Sequence, residues 1–345
     1  MTWVPLLLAD RSPSLRRLVL KELLHFPNDD PEVLELDELI SKDPLVATLL
    51  KKQNDDGSWK NTDIGGSETR ERVRPTSFAL QRLGYIGLPS NDPAIERGVE
   101  YIFSQQRTDG SWSIPQTYEG TGLDGGVYTM VPLQTSIPLL GIAATGYARD
   151  ERAENAYDWL IDKRLDDGAW PTGKVGEVLG YRGGYRRMPH SEWACRTNTT
   201  LALTALAHHP SRRSGPEAKR ALDLLLGRET RDRKTVGLNV ARLVGFEQHR
   251  GHFTYHARFD PGLILDLAWR IGADRNDERI NDLVSWFLEQ QGLYGLWEYQ
   301  PKPEATRWVT FDILRSLSRI DKSKEWVSRS PQAPFSAYPK IKKRF

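Results

Sequence analysis

Apolar residues fall in the rhythm of helices along most of this chain. Ile280, Leu283, Val284, Phe287 and Leu288 recur at i, i+3, i+4, i+7 and i+8, one apolar stripe on a helix otherwise polar. Ile95, Val99, Ile102 and Phe103 repeat the pattern, as do Ala218, Ala221, Leu222, Leu225 and Leu226. A second set of segments, Ser77–Leu83, Leu133–Thr145, Thr199–Ala207, Leu263–Ile271 and Val309–Leu317, is apolar with little charge. Alternation of the two kinds predicts two concentric layers, with outer helices facing water and inner helices lining a core. It also predicts a chain without a sheet of three or more strands.

Between the layers lies a repeated heptapeptide. Gln53-Asn54-Asp55-Asp56-Gly57-Ser58-Trp59, Gln106-Arg107-Thr108-Asp109-Gly110-Ser111-Trp112, Arg164-Leu165-Asp166-Asp167-Gly168-Ala169-Trp170 and Gln291-Gly292-Leu293-Tyr294-Gly295-Leu296-Trp297 share one plan. The first three are evenly spaced. The last gap is about twice as long, and Leu224–Gly237 is the place for an eroded copy that has lost its tryptophan. A fixed period this long marks stacked supersecondary units. The glycine ends each first helix, because it alone takes the left-handed conformation without strain.

The first ~50 residues depart from the repeat. Ser12-Pro13 and Asp43-Pro44 are N-cap and first-turn pairs, and Leu15, Leu18, Val19, Leu23 and Phe26 form an apolar stripe. Residues 1–50 are therefore expected as a helical cap within the same domain, 51–325 as the repeat ring, and 326–345 as a basic tail.

Composition narrows the function classes. Hydrophobic residues at 39% suffice for a large core, and a net charge of +2 lacks the basic footprint of a nucleic-acid binder. A lone Cys195 excludes an intrachain disulfide. The apolar start lacks a basic n-region and is too short for a signal peptide or a membrane span. These features point to a cytoplasmic protein without a transmembrane segment.

The Gln-x-x-Asp-Gly-Ser-Trp repeats resemble the QW motif of squalene-hopene and oxidosqualene cyclases and the related repeats of protein prenyltransferase β subunits. The resemblance implies an all-α (α/α)5–6 toroid, in which the signature residues are structural fasteners. It also implies a central cavity for a hydrophobic, isoprenoid-type ligand. The chain departs from the family where chemistry belongs. It has no Asp-x-Asp-Asp acid motif and no Asp-Asp-x-x-Asp box for magnesium diphosphate. A cyclase-like reaction would then need another acid, for which Asp260 and Glu192 are the candidates.

In this fold the loops entering the inner helices are expected to line the mouth. Arg72, Arg74, Arg196, Arg258 and Arg307 lie there, and arginines converging from several repeats would bind a diphosphate bidentately. The alternative is that they pair with rim carboxylates. Tyr128, Met130, Trp193, Tyr255, Phe259, Trp269 and Trp308 are expected near the same mouth. A zinc-dependent prenyl or alkyl transferase is the alternative reading, and by analogy it carries a helical-repeat protein partner. Tyr255-His256 resembles the zinc-histidine segment of the prenyltransferases, and Cys195 precedes an inner helix as their zinc cysteine does. Thiolate plus imidazole plus a carboxylate suits zinc, but Trp193 stands where the family has its aspartate. A third reading is a non-catalytic binding scaffold.

Overall fold

The computed structural model describes residues 3–112, 128–180, 186–188, 191–226, 236–248 and 260–320. Four short N-terminal helices come first: α1 (Trp3–Leu8), α2 (Pro13–Leu18, continued by a π turn over Val19–Leu23), α3 (Pro31–Leu39) and α4 (Pro44–Lys52). The inner helices follow as α5 (Val73–Ile86), α7 (Pro132–Ala144), α9 (Arg196–His208), α12 (Pro261–Ile271) and α14 (Thr306–Ile320). The outer helices alternate with them as α6 (Pro93–Ser104), α8 (Glu151–Asp162), α10 (Pro216–Leu226) and α13 (Glu278–Glu289), and a short α11 (Leu238–Leu243) lies between α10 and α12. All five apolar segments expected inside are inner helices.

Contacts define the ring. α5 packs on α7, α7 on α9, α9 on α12, and α12 on α14. Near the seam between α14 and α5, the Tyr85 and Trp308 rings lie 6.1 Å apart. α11 touches α5, α12 and α14, while α2 packs on α5, and α1 and the π turn pack on α14. Asp92, Asp150 and Asp277 cap α6, α8 and α13, each accepting from the amide two residues on at 2.8–3.0 Å. Ser12 and Asp43 cap α2 and α4 as their sequence context predicts.

The signatures occupy equivalent places and make the same bonds. The indole nitrogens of Trp59, Trp112, Trp170 and Trp297 each donate to the carbonyl ten residues earlier, at 2.7–2.8 Å. The backbone amides of the same tryptophans each donate to a threonine on the following inner helix. Those threonines are Thr76, Thr135, Thr199 and Thr310, at 3.0, 3.3, 3.0 and 3.0 Å. Gln53 and Gln106 reach sideways to the carbonyls of Ala94 and Arg152 on the next outer helix. Where Arg164 replaces the glutamine, Arg220 of α10 reaches back to the Asp167 carbonyl instead. Gly57, Gly110, Gly168 and Gly295 all have φ between +76° and +92°. A Cβ on Gly57 would also sit 2.3 Å from the Arg97 carbonyl oxygen of α6. Of the eroded copy, Gly237 keeps a positive φ, and residues 227–235 lie outside the described set.

One expectation fails. A three-stranded antiparallel sheet joins β1 (Tyr128–Met130), β2 (Lys174–Val175) and β3 (Val178–Leu179). It is small, and it ties together the loops that follow the second and third signatures. Val175-Gly176-Glu177-Val178 carries the glycine-first two-residue turn of a hairpin, a signal present in the sequence but overshadowed by the helical period.

Candidate ligand cavity within the ring

A cavity of about 260 Å³ lies inside the ring. The inner helices contribute its polar residues from their second halves, the ends opposite the loops expected to form the mouth, whereas Phe78, Leu201 and Leu263 lie in first halves. Phe78, Leu140, Leu201, Leu243 and Leu263 supply apolar surface, from α5, α7, α9, α11 and α12. Gln81, Tyr85, His208, Arg270, Arg315 and Arg319 supply the polar part, together with Glu22 from the π turn.

The charges around it are paired. Arg270 Nε donates to Asp266 at 2.7 Å, and Arg319 to Glu22 at 2.8 Å. Arg315 bonds Asp312, with Asp266 at 3.6 Å and Glu22 at 3.7 Å. Tyr85 donates its hydroxyl to Asp312 at 3.1 Å. Three guanidinium groups thus meet three carboxylates. Burial pushes the Asp312 carboxyl up, with Arg315 opposing and Asp266 adding to the rise. Burial would raise Asp266 as well, but Arg270 and Arg315 overcome it and hold the carboxyl below its ordinary range. His208 Nδ1 lies 2.8 Å from the Thr204 carbonyl. Burial and then Arg270 bring its imidazole down to about 4, so it is neutral near pH 7.

The residues singled out in the sequence lie elsewhere. Asp260 is buried at the start of α12, accepting from the amides of Gly237, Asn239 and Gly262 at 3.0, 2.8 and 2.9 Å. Burial raises its carboxyl to about 6 against those three bonds, and it does not line the cavity. It caps α12 and holds α11 against it. Glu192 is exposed. Arg72 donates to the Thr69 and Glu71 carbonyls, Arg74 pairs with Glu71, and Arg307 bonds Asp10 at 3.2 Å. Arg196 is buried in the first turn of α9. None of these four arginines lines the cavity, and Arg258 lies outside the described residues. Trp269 sits in the last turn of α12, not at its entrance, with Arg270 and Arg319 stacked on its ring. Trp308 is in the first turn of α14, and Met130 is in β1. Tyr255 and Phe259 lie outside the described residues.

For zinc, the described donors do not assemble. Cys195 is buried, and burial pushes its thiol up, away from the thiolate a metal requires. His256 lies outside the described residues, and among those described no three metal-type side chains cluster. No described helix is long and apolar enough to cross a membrane.

Comparison with known proteins agrees with the repeats. Residues 37–181 match the squalene-hopene cyclase C-terminal domain. The squalene–hopene cyclase of Zymomonas mobilis is 30% identical over 36% of this chain and 18% of its own length. That of Schizosaccharomyces japonicus is 34% identical over 36% of this chain and 28% of its own, and lanosterol synthase of Candida albicans is 24% identical over 46% and 21%. The matched part of the chain therefore spans less than a third of each relative. Among solved structures, a protein from Actinoplanes covers 89% of this chain at 16% identity, with 90% of its own chain covered and a TM-score of 0.43. The type II terpene cyclase MstE from Scytonema covers 81% at 14% identity, with 97% of its own chain covered and a TM-score of 0.32. The chain is an all-helical toroid, and over residues 37–181 its sequence is similar to the squalene-hopene cyclases.

Proposed function

We propose that this chain binds a small hydrophobic molecule of isoprenoid type inside its ring, without the proton-initiated cyclisation of the squalene-hopene cyclases. The observation that supports this is the cavity itself, apolar on the faces given by Phe78, Leu140, Leu201, Leu243 and Leu263 and polar at one end. Its 260 Å³ sits just below the roughly 300–1,000 Å³ usual for small-molecule sites. At about 30 Å³ for each water-sized group, it holds on the order of ten heavy atoms, a ten-carbon chain rather than a thirty-carbon one. Protonating an isolated alkene needs a strong acid aimed into an apolar space. Asp260 is held by three amides away from the cavity, and Asp312 is engaged by Tyr85 and Arg315. Isothermal titration with geraniol and farnesol tests the reading. Saturable binding, stronger for the shorter chain, is expected, and no binding of either would overturn it.

A further inference from the structure

Three of the four signatures are covered by the outer helix that comes next. Gln53 and Gln106 donate to the Ala94 and Arg152 carbonyls in the first turns of α6 and α8, at 2.9 Å each. At the third, Arg220 of α10 reaches the Asp167 carbonyl at 2.9 Å. The fit is close, since a Cβ on Gly57, Gly110 or Gly168 would lie 2.3, 2.8 or 2.4 Å from Arg97, Asn155 or Arg220. The fourth signature differs. Gln291 donates to the Gly295 carbonyl at 2.9 Å, as Gln53 does to that of Gly57, but it makes no sideways bond among the described residues.

The side chains of this turn differ too. Asp55-Asp56, Thr108-Asp109 and Asp166-Asp167 stand at the tips of the first three turns, polar residues suited to water. The fourth carries Leu293-Tyr294 in their place, 97% and 71% exposed, and Leu288 in the last turn of α13 is 52% exposed. Only six large apolar side chains are exposed among the described residues, and these three fall within seven positions of one another. Single exposed apolar residues are ordinary on a surface, whereas a cluster marks a contact. Glu289 and Glu298 flank it, both exposed and neither in an ion pair among the described residues, which favours an occupant that is apolar and basic.

The repeat identifies such an occupant in the chain itself. Ala94 and Arg152, the sideways acceptors, each lie eight residues beyond the last residue of the preceding inner helix, Ile86 and Ala144. Eight residues beyond Ile320, the last of α14, is Ser328, within Lys322-Ser323-Lys324-Glu325-Trp326-Val327-Ser328-Arg329. We propose that this segment docks on the fourth signature and extends the outer layer past α13. The Ser328 carbonyl accepts from Gln291, Trp326 and Val327 cover Leu293 and Tyr294, and Lys322 and Lys324 face Glu289 and Glu298. The ring then runs beyond the boundary at 325 that composition alone suggests, and this holds whatever the cavity binds.

Limited trypsin digestion of the full chain, with the products weighed by mass spectrometry, tests the docking. Cleavage after Arg329 should be slow in the native protein, and slower than cleavage after Lys340. Such cleavage follows the population of the undocked form. Leu293→Asp removes one covered apolar side chain and should raise the rate at Arg329 roughly tenfold. Leu34→Asp, at an apolar residue 51% exposed on α3, should leave it unchanged. Trp326→Ala should speed hydrogen exchange of the amides of residues 291–296. Arg329 cut as readily as Lys340 in the native chain, or a rate that Leu293→Asp does not change, would overturn the proposal. Protection that grows with protein concentration, with a dimer in light scattering that Leu293→Asp dissociates, would overturn it in favour of a second copy on this edge. Should a variant not fold, the native ratio of the two cleavage rates still decides.

Discussion

Replacing Thr199 by valine isolates the bond that joins an outer turn to an inner helix. Valine fills nearly the same volume, and Thr199 and Trp170 are both fully buried, so neither a cavity nor a change in exposure confuses the result. What disappears is the acceptor for the Trp170 amide at 3.0 Å. A buried amide left without a partner costs about 1–3 kcal/mol. Thr199→Ser keeps the oxygen and loses one methyl, about 0.8 kcal/mol of apolar burial. Urea unfolding should therefore place serine above valine, and both above Trp170→Ala, which removes a buried indole at roughly 3–5 kcal/mol. Across the ring, Thr135→Val should be the mildest of the four valine variants, because its bond is the longest at 3.3 Å. Valine as stable as threonine, or more stable than serine, would show that the bond contributes nothing and refute the fastener argument.

Three further outcomes are expected. His208 in the folded chain titrates at about 4, against 6.5 for the free side chain. The unfolded chain therefore takes up the proton first, and this group's stabilisation is lost as pH falls from 6.5 towards 4. His208→Gln should flatten that part of a stability–pH curve measured by thermal unfolding, and an unchanged slope would count against a neutral, enclosed imidazole. Asp260→Asn must turn an amide NH2 towards one of the three backbone donors, so at pH 7 a loss of about 1–3 kcal/mol is expected in denaturant titration; full stability would reopen a catalytic role for this carboxyl. Incubation with squalene, followed by gas chromatography, should yield no hopene. A hopene peak would mean that some carboxyl here is a competent acid, with Asp260→Asn and Asp312→Asn the variants to assay next.

The layers were legible in the sequence because helical period and signature reinforce each other. Gly57, Gly110, Gly168 and Gly295 mark the same backbone turn each time, so their spacing reports the architecture directly. The threonine pins were not legible. Thr76, Thr135, Thr199 and Thr310 follow their tryptophans by 17, 23, 29 and 13 residues, and no fixed offset exists to find. The cavity was missed for a different reason. Asp266, Arg270, Asp312, Arg315 and Arg319 interrupt α12 and α14 at three- and four-residue spacings, a pattern that also fits a solvated helix face. Their presence on helices otherwise apolar was the available signal. The arginines of the entering loops lie apart from this cavity.

The uneven interval between tryptophan and threonine has a consequence for how such a chain can change over generations. Both ends of each connecting stretch are anchored, one by the indole and its amide, the other by the helix that carries the threonine. Lengthening the stretch from 13 to 29 residues adds only about 0.7 kcal/mol of closure entropy. Insertions there leave the ring in register, and one such stretch already contributes two strands to a sheet shared with its neighbour. The toroid thus behaves as a chassis with interchangeable fittings: new loops can be tried on one rim while the helical wall stays the same.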